Sequence, residues 1–132
     1  TVLAVVPHDP GAYSEGLEAI VVGIPNMGQE RLAEYGPFYD SYHKNRGGRG
    51  ERYVNFLAET VKPLIDEAFR TRPDRAHTGV LGSSMGGLIS LYAFFRCPEV
   101  FGFAGVMSPS FWFAQNAIFD YVTQVPYAPG KI

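Results

Sequence analysis

The chain has 132 residues, of which 46% are hydrophobic and 18% charged, a balance typical of one folded domain rather than a disordered segment. The net charge is −2 and the cationic residues are scattered, which argues against a nucleic-acid partner. The apolar runs are too short to span a bilayer, and a single cysteine, Cys97, excludes an internal disulfide. We expect one domain over residues 1–132, with Cys97 as a buried small hydrophobe.

The first half of the chain contains patterns for one strand and one helix. Residues 18–24 form a continuous apolar run rich in β-branched side chains, which is typical of a strand buried on both faces. Residues 25–50 are polar and end in a Gly-Gly-Arg-Gly run, which indicates a flexible loop rather than a phosphate site. Residues 51–68 have helical spacing, and Pro63 should kink or break this helix near Lys62.

The second half alternates between strand and helix patterns. Residues 78–82 and 101–107 are short apolar runs that predict buried strands. A strongly apolar helix is predicted over 88–95, and a further helix over 114–123. This alternation predicts the α/β class, with a parallel sheet and flanking helices.

The turn between residues 82 and 86, Gly-Ser-Ser-Met-Gly, has the pattern of a nucleophile elbow. In such an elbow a serine, here Ser84, is exposed where a strand turns sharply into a helix. Gly82 and Gly86 would leave room for that crowded turn. The Met85 N–H would be a donor for an oxyanion. The competing interpretation is a tight Gly/Ser turn without chemistry, which the strand before and the helix after disfavour.

Several segments together resemble the esterase D-like branch of the α/β-hydrolase superfamily, which includes enterochelin and feruloyl esterases. These segments are Val22-Gly23-Ile24-Pro25-Asn26, Arg31-Leu32-Ala33-Glu34-Tyr35, Gly82-Ser83-Ser84-Met85-Gly86-Gly87 and Ser108-Pro109-Ser110-Phe111-Trp112. They follow the family's order along the chain, and the block around Ser84 is the most specific of them. The resemblance implies a partial α/β-hydrolase domain that acts on a small-molecule ester.

The resemblance also implies roles for particular residues. Ser84 would be the nucleophile, and the Met85 amide would contribute to the oxyanion hole. Ser83, Phe111 and Trp112 would contact the substrate, although a plain core role for the two aromatic residues is an equal alternative. No cofactor, metal, nucleic-acid or membrane partner is implied.

The partners of the serine are missing from their usual places. The hydrolase triad follows the chain order Ser, then Asp or Glu, then His. All three histidines, His8, His43 and His77, precede Ser84. The carboxylates after Ser84 are Glu99 and Asp120. His43 could serve as a substitute base, against the alternative of an ordinary exposed loop histidine. We expect His8 and His77 to be exposed and inert.

The ends of the chain suggest that it is an internal fragment. In the family, the acid follows a strand that would begin at Lys131, and the histidine lies further on. An earlier strand would lie between the predicted strands at 18–24 and 78–82, and we expect it to be absent. Another chain or another segment of the protein would then complete the sheet and the triad.

The leading hypothesis is a serine carboxylic-ester hydrolase that forms an acyl-enzyme at Ser84, with little activity in the isolated chain. A non-catalytic binding or scaffold protein on the hydrolase fold is one alternative, and an acyltransferase is another. Arg31 and Glu34 are three residues apart, which favours a local ion pair, with direct substrate contact as the alternative.

Overall fold

The computed structural model describes residues 2–5, 19–42 and 46–132. Its strands are β1 (Val2–Val5), β2 (Ile20–Gly23), β3 (Tyr39–Asp40), β4 (Arg46–Gly47), β5 (Thr78–Ser83) and β6 (Phe103–Met107). Its helices are α1 (Arg31–Tyr35), α2 (Gly50–Phe56), α3 (Lys62–Ala68), α4 (Met85–Arg96) and α5 (Ala117–Gln124). Shorter turns are π-helical at Leu57–Val61 and 3₁₀-helical at Gly28–Glu30, Arg75–His77 and Phe113–Asn116. Within these ranges, no helix has the length and apolar character needed to cross a membrane.

Four strands form one sheet in the order β2-β1-β5-β6. β5 and β6 are parallel, whereas β1 is antiparallel to both of its neighbours, so β2, β5 and β6 point the same way. α4 joins β5 to β6 as the crossover that parallel strands require. The predicted α/β class with flanking helices is confirmed, with β1 as the antiparallel member of the sheet.

β1 corrects the expectation that the strand between β2 and β5 is absent from the chain. Leu3 of β1 is paired with Val22 on one side and with Val80 on the other. The run Val-Leu-Ala-Val suits a strand, and pairing it there supplies hydrogen-bond partners to two strands that would otherwise face each other unpaired. The chain itself therefore closes this gap in the sheet.

The predicted burial of β2 on both faces is wrong. Its residues alternate between half-buried and exposed, and Val21 is 67% exposed. β2 is at the edge of the described sheet, where one face packs against the core through Ile20 and Val22. Alternation of this kind is typical of a strand with only one covered face.

The predicted helix over 51–68 is confirmed as two helices joined by a π-helical turn. α2 ends at Phe56, and the turn at Leu57–Val61 leads directly into α3 at Lys62. Pro63 has no backbone N–H, so the regular hydrogen-bond ladder cannot continue through it and the helix widens just before it. The break therefore lies directly before Lys62, as predicted from the position of Pro63.

α4 is the central helix of the fold. All of its residues from Met85 to Phe94 are buried, so it packs on every side rather than along one stripe. It begins three residues earlier than the predicted helix over 88–95, directly after Ser84. α5 begins three residues later than predicted, at Ala117, because the three residues before it are left-handed.

Cys97 is buried at the end of α4, as predicted. Burial raises the pKa of its thiol to about 11, and the charge of Glu99 adds to the effect. Because the thiolate is the reactive form, we expect native Cys97 to react with Ellman's reagent at pH 8 about a hundredfold more slowly than a free thiol. Unfolding in urea should restore the fast rate. Equal rates in both states would contradict this placement.

Candidate active site

Ser84 is the single residue that links β5 to α4. β5 ends at Ser83 and α4 begins at Met85, while Ser84 has φ 58° and ψ −120° and is exposed. A positive φ is uncommon for a residue with a side chain, and holding one costs about 1–3 kcal/mol. The sequence-predicted nucleophile therefore occupies a strained, accessible position at the carboxyl end of a strand.

Three backbone hydrogen bonds hold this strained turn. The Ser84 N–H donates to the Met107 carbonyl at the end of β6, over 3.0 Å. The Ser84 carbonyl accepts from the N–H of Leu88 and from the N–H of Ser110, each over 3.1 Å. The turn is thus fixed from the next strand, from its own helix and from the segment after β6.

The two glycines of the predicted elbow have different roles. A Cβ added to Gly82 would lie 2.2 Å from the Gly86 carbonyl oxygen, which no real structure tolerates. A Cβ added to Gly86 would meet nothing within 4 Å. The close approach of strand and helix therefore requires glycine at position 82, whereas the space beside Gly86 is open.

Met85 places a backbone donor beside Ser84. It is the first residue of α4 and its side chain is 1% exposed, so the buried side chain anchors the helix start. The N–H groups of the first helical turn have no acceptors inside the helix. They also lie at the positive end of the helix dipole, where negative charge is stabilised.

Ser110 is a site residue that the sequence did not reveal. Its Oγ is 3.0 Å from the Ser84 Oγ, and the residue is only 4% exposed. Either hydroxyl can donate in this bond. The Ser-Pro-Ser run after β6 marked the segment, but nothing in its spacing showed that its second serine touches Ser84 across 26 residues.

The predicted substrate-contacting residues lie around the same strand ends. Ser83 is exposed and is paired with Met107 of β6. Phe111 is half-buried against Phe119, with ring centroids 5.2 Å apart. Trp112 is 54% exposed and its ring meets Phe113 edge to face. Both aromatic residues are thus partly exposed, and Phe111 packs against the core.

The segment 110–116, which contains these aromatic residues, is strained. Ala114, Gln115 and Asn116 have φ of 49°, 56° and 63°, so three consecutive non-glycine residues are left-handed. Each costs about 1–2 kcal/mol, with asparagine the most tolerant. The buried carboxylate of Asp40 accepts a hydrogen bond from the Ala114 N–H over 2.8 Å. The sequence did not predict this contact.

None of the described candidates for the base or acid lies beside Ser84. His77 precedes β5, so its ring is about 20 Å from the other end of that strand, and it is half-buried against Asp74 rather than exposed. Its hydrogen bond holds the pKa of Asp74 below the usual value. Glu99 is exposed beyond the far end of α4, and Asp120 is exposed on α5. His8 and His43 lie outside the described residues.

The predicted Arg31–Glu34 ion pair is replaced by other contacts. Glu34 accepts a hydrogen bond from the Met27 N–H, and the Arg31 guanidinium lies 5.6 Å from the centre of the Tyr35 ring. Glu30 pairs with Arg49 instead. Glu34 therefore supports the backbone of this segment, which is the structural role that the sequence favoured.

In the described part of the predicted loop over 25–50, backbone hydrogen bonds hold the glycine-rich end. The N–H groups of Gly48 and Gly50 both donate to the Gly36 carbonyl, and the Arg49 N–H donates to Ala33. These amides are therefore occupied, which leaves them unsuited to a phosphate. Among the described residues, no group of three His, Cys, Asp or Glu side chains could hold a metal.

A cavity of about 720 Å³ lies away from Ser84, along Arg75, Phe103 and Lys131. The Lys131 N–H donates to the Gly102 carbonyl, and Lys131 forms a parallel bridge with Phe103 of β6. A single bridge therefore pairs the chain with the outer side of β6 at Lys131, where the sequence predicted that a new strand begins.

Comparison with known proteins identifies relatives over most of the chain. A family model described as "Putative esterase" matches residues 10–127. The chain is 33% identical over 104 residues to the uncharacterized protein YbbA of Bacillus subtilis (strain 168), across 76% of this chain and 41% of YbbA. It is 32% identical over 71 residues to a siderophore enterobactin esterase of Emericella nidulans, across 54% of this chain and 23% of that protein.

Among solved structures, the fold resembles that of the BES protein from Bacillus cereus. The TM-score is 0.68 at 24% identity, and the match covers 87% of this chain and 48% of that one. The chain therefore spans less than half the length of each of these three relatives. The fold is a partial α/β-hydrolase fold, and the chain belongs to the esterase family whose model it matches.

Proposed function

We propose that this chain carries the nucleophile of a serine carboxylic-ester hydrolase, and that Ser84 is that nucleophile. The observation that carries the proposal is the exposed Ser84 at φ 58° between β5 and α4, with the first N–H groups of α4 beside it. A serine needs exposure and nearby donors to form an acyl-enzyme, and a strained strand-to-helix turn supplies both. Membership of the esterase family supports the same chemistry.

In the proposed reaction, the Ser84 oxygen attacks the ester carbonyl carbon while its proton passes to a general base. The resulting tetrahedral oxyanion accepts a hydrogen bond from the Met85 N–H. Collapse breaks the bond to the leaving alcohol, which takes the proton, and leaves an acyl group on Ser84. Water then attacks this ester by the same route and releases the acid.

The general base and its acid partner are proposed to come from a segment outside this chain. After Ser84, where the hydrolase order places both groups, the chain has no histidine, and its two carboxylates are exposed and are not hydrogen-bonded to Ser84. Until that segment is present, the Ser84 hydroxyl is hydrogen-bonded to Ser110, which is a weak proton acceptor. The isolated 132-residue chain should therefore turn over esters slowly, if at all, and the complete protein should be active.

The substrate is proposed to be a small-molecule ester bound against Ser83, Phe111 and Trp112. Ser83 precedes Ser84 in the chain, and Phe111 and Trp112 follow Ser110, which is hydrogen-bonded to Ser84; the partly exposed aromatic rings suit an apolar acyl or alcohol group.

Trapping the acyl-enzyme tests the proposal. The complete protein is mixed with p-nitrophenyl acetate, quenched in acid, digested and analysed by mass spectrometry. We expect one acetyl group on the peptide that contains Ser84, and the same result for Ser41→Ala, which changes a serine in an exposed turn. An acetyl group on another residue of an active protein would contradict the assignment.

A further inference from the structure

The segment 110–116 is held at two ends by different parts of the molecule. At its start, the Ser110 N–H and hydroxyl are both hydrogen-bonded to Ser84. At its end, three consecutive residues without glycine are left-handed. A conformation of this kind persists only where neighbouring structure holds it.

Asp40 is the residue that holds the strained end. It is 1% exposed, and its Oδ2 accepts the hydrogen bond from the Ala114 N–H across 74 residues of sequence. Its Oδ1 accepts from the N–H of Tyr42 over 2.9 Å, which fixes the carboxylate to its own turn. Hydrogen bonds from backbone amides to a carboxylate are among the stronger ones in proteins.

Two glycines close to Asp40 in sequence, Gly36 and Gly47, pack against the ring of Phe113. A Cβ added to Gly36 or to Gly47 would meet that ring at 2.7 Å or 2.9 Å, and Phe113 is 1% exposed. The absence of side chains at Gly36, before β3, and at Gly47, in β4, thus leaves the space that the Phe113 ring fills. The hydrogen bond from Ala114 to Asp40 and the packing of Phe113 against Gly36 and Gly47 together hold the segment in place.

We propose that Asp40 is a positioning residue, which sets the place of Trp112, the proposed substrate contact, through the Ala114 amide. The backbone of Ser84 is hydrogen-bonded to β6, to α4 and to Ser110, so the segment meets Ser84 at its first residue, at the opposite end from Ala114 and Asp40. Trp112 lies two residues before Ala114 and is 54% exposed, so its position depends on how this segment is held. The kinetic consequence rests on the proposed function, whereas the placement of Trp112 does not.

Fluorescence reads that placement directly, because Trp112 is the single tryptophan of the chain. In the complete protein, the difference signal against Trp112→Phe isolates its emission. We expect Asp40→Ala to raise the acrylamide quenching constant of Trp112 about twofold, with Asp40→Asn between it and the wild type, since Asn keeps one acceptor oxygen. The control is Asp120→Asn, an exposed carboxylate on α5, which should leave quenching unchanged.

Kinetics separate positioning from general damage. Partial unfolding lowers kcat by lowering the active fraction and leaves KM alone. Displacement of a pocket wall should instead raise KM, by about tenfold for Asp40→Ala, with a far smaller change in kcat. Unchanged quenching in Asp40→Ala overturns the proposal that Asp40 places Trp112. Changed quenching with an unchanged KM overturns the proposal that this placement matters for substrate binding.

Two further results keep the test decisive. If Asp40→Ala does not fold, amide exchange at Ala114 in the wild-type protein takes its place: strong protection supports the bond to Asp40, and exchange at the rate of a free peptide overturns it. If Ser84→Ala keeps full activity, the proposed function fails, and the quenching result alone still decides whether Asp40 places Trp112.

Discussion

Replacing Ser84 with alanine is expected to lower kcat for ester hydrolysis by at least about a thousandfold in the complete enzyme, since without the nucleophile only binding and oxyanion stabilisation remain. The replacement does not change the backbone strain at this position, because alanine is as strained as serine at φ 58°. The fold should therefore survive. The measurement is steady-state hydrolysis of p-nitrophenyl acetate, with far-ultraviolet circular dichroism as a check on folding.

Ser41→Ala is the matched control, because it removes the same hydroxyl from an exposed turn. It should keep the wild-type kcat. A folded Ser84→Ala enzyme with kcat near the wild-type value would contradict the assignment of Ser84.

Gly82→Ala is expected to damage both stability and activity. The new methyl group would lie 2.2 Å from the Gly86 carbonyl oxygen, so β5 and α4 must move apart at the turn that holds Ser84. We expect a loss of about 3 kcal/mol in the free energy of unfolding, at the upper end of overpacking effects. A shift of about 1 Å at Ser84 should lower kcat/KM by about a hundredfold. Urea unfolding and ester kinetics measure the two effects.

Gly86→Ala provides the contrast within the same motif. Its methyl group would enter open space on a helix, where alanine is favoured over glycine by about 1 kcal/mol. The free energy of unfolding should therefore stay the same or rise. Equal destabilisation by the two substitutions would show that the packing at the turn is not as described.

The α/β class and the place of Ser84 were predictable from the sequence, because both are encoded locally. The apolar runs before Gly82 and after Cys97 indicate strands, and the turn pattern between β5 and α4 fixes where the serine lies. β1 was not predicted, since four apolar residues do not by themselves show that they fill a gap between β2 and β5. That fact depends on strands that are remote in sequence.

The contacts that support the site could not be predicted for a related reason. Ser110 meets Ser84 across 26 residues, and Asp40 meets Ala114 across 74. No spacing rule connects such pairs. Ala114 and Gln115 are also ordinary helix formers, so their left-handed backbone comes from the tertiary contacts rather than from their own preference.

Labelling with a fluorophosphonate is the most direct test of the central claim, because this reagent forms a stable adduct only with an activated serine. The complete enzyme is treated with the probe, digested and mapped by mass spectrometry, with loss of activity followed in parallel. The account predicts one adduct, on Ser84, that appears as activity is lost and is absent from Ser84→Ala. Loss of activity with the adduct on a different serine, or with Ser84 unlabelled, would contradict it.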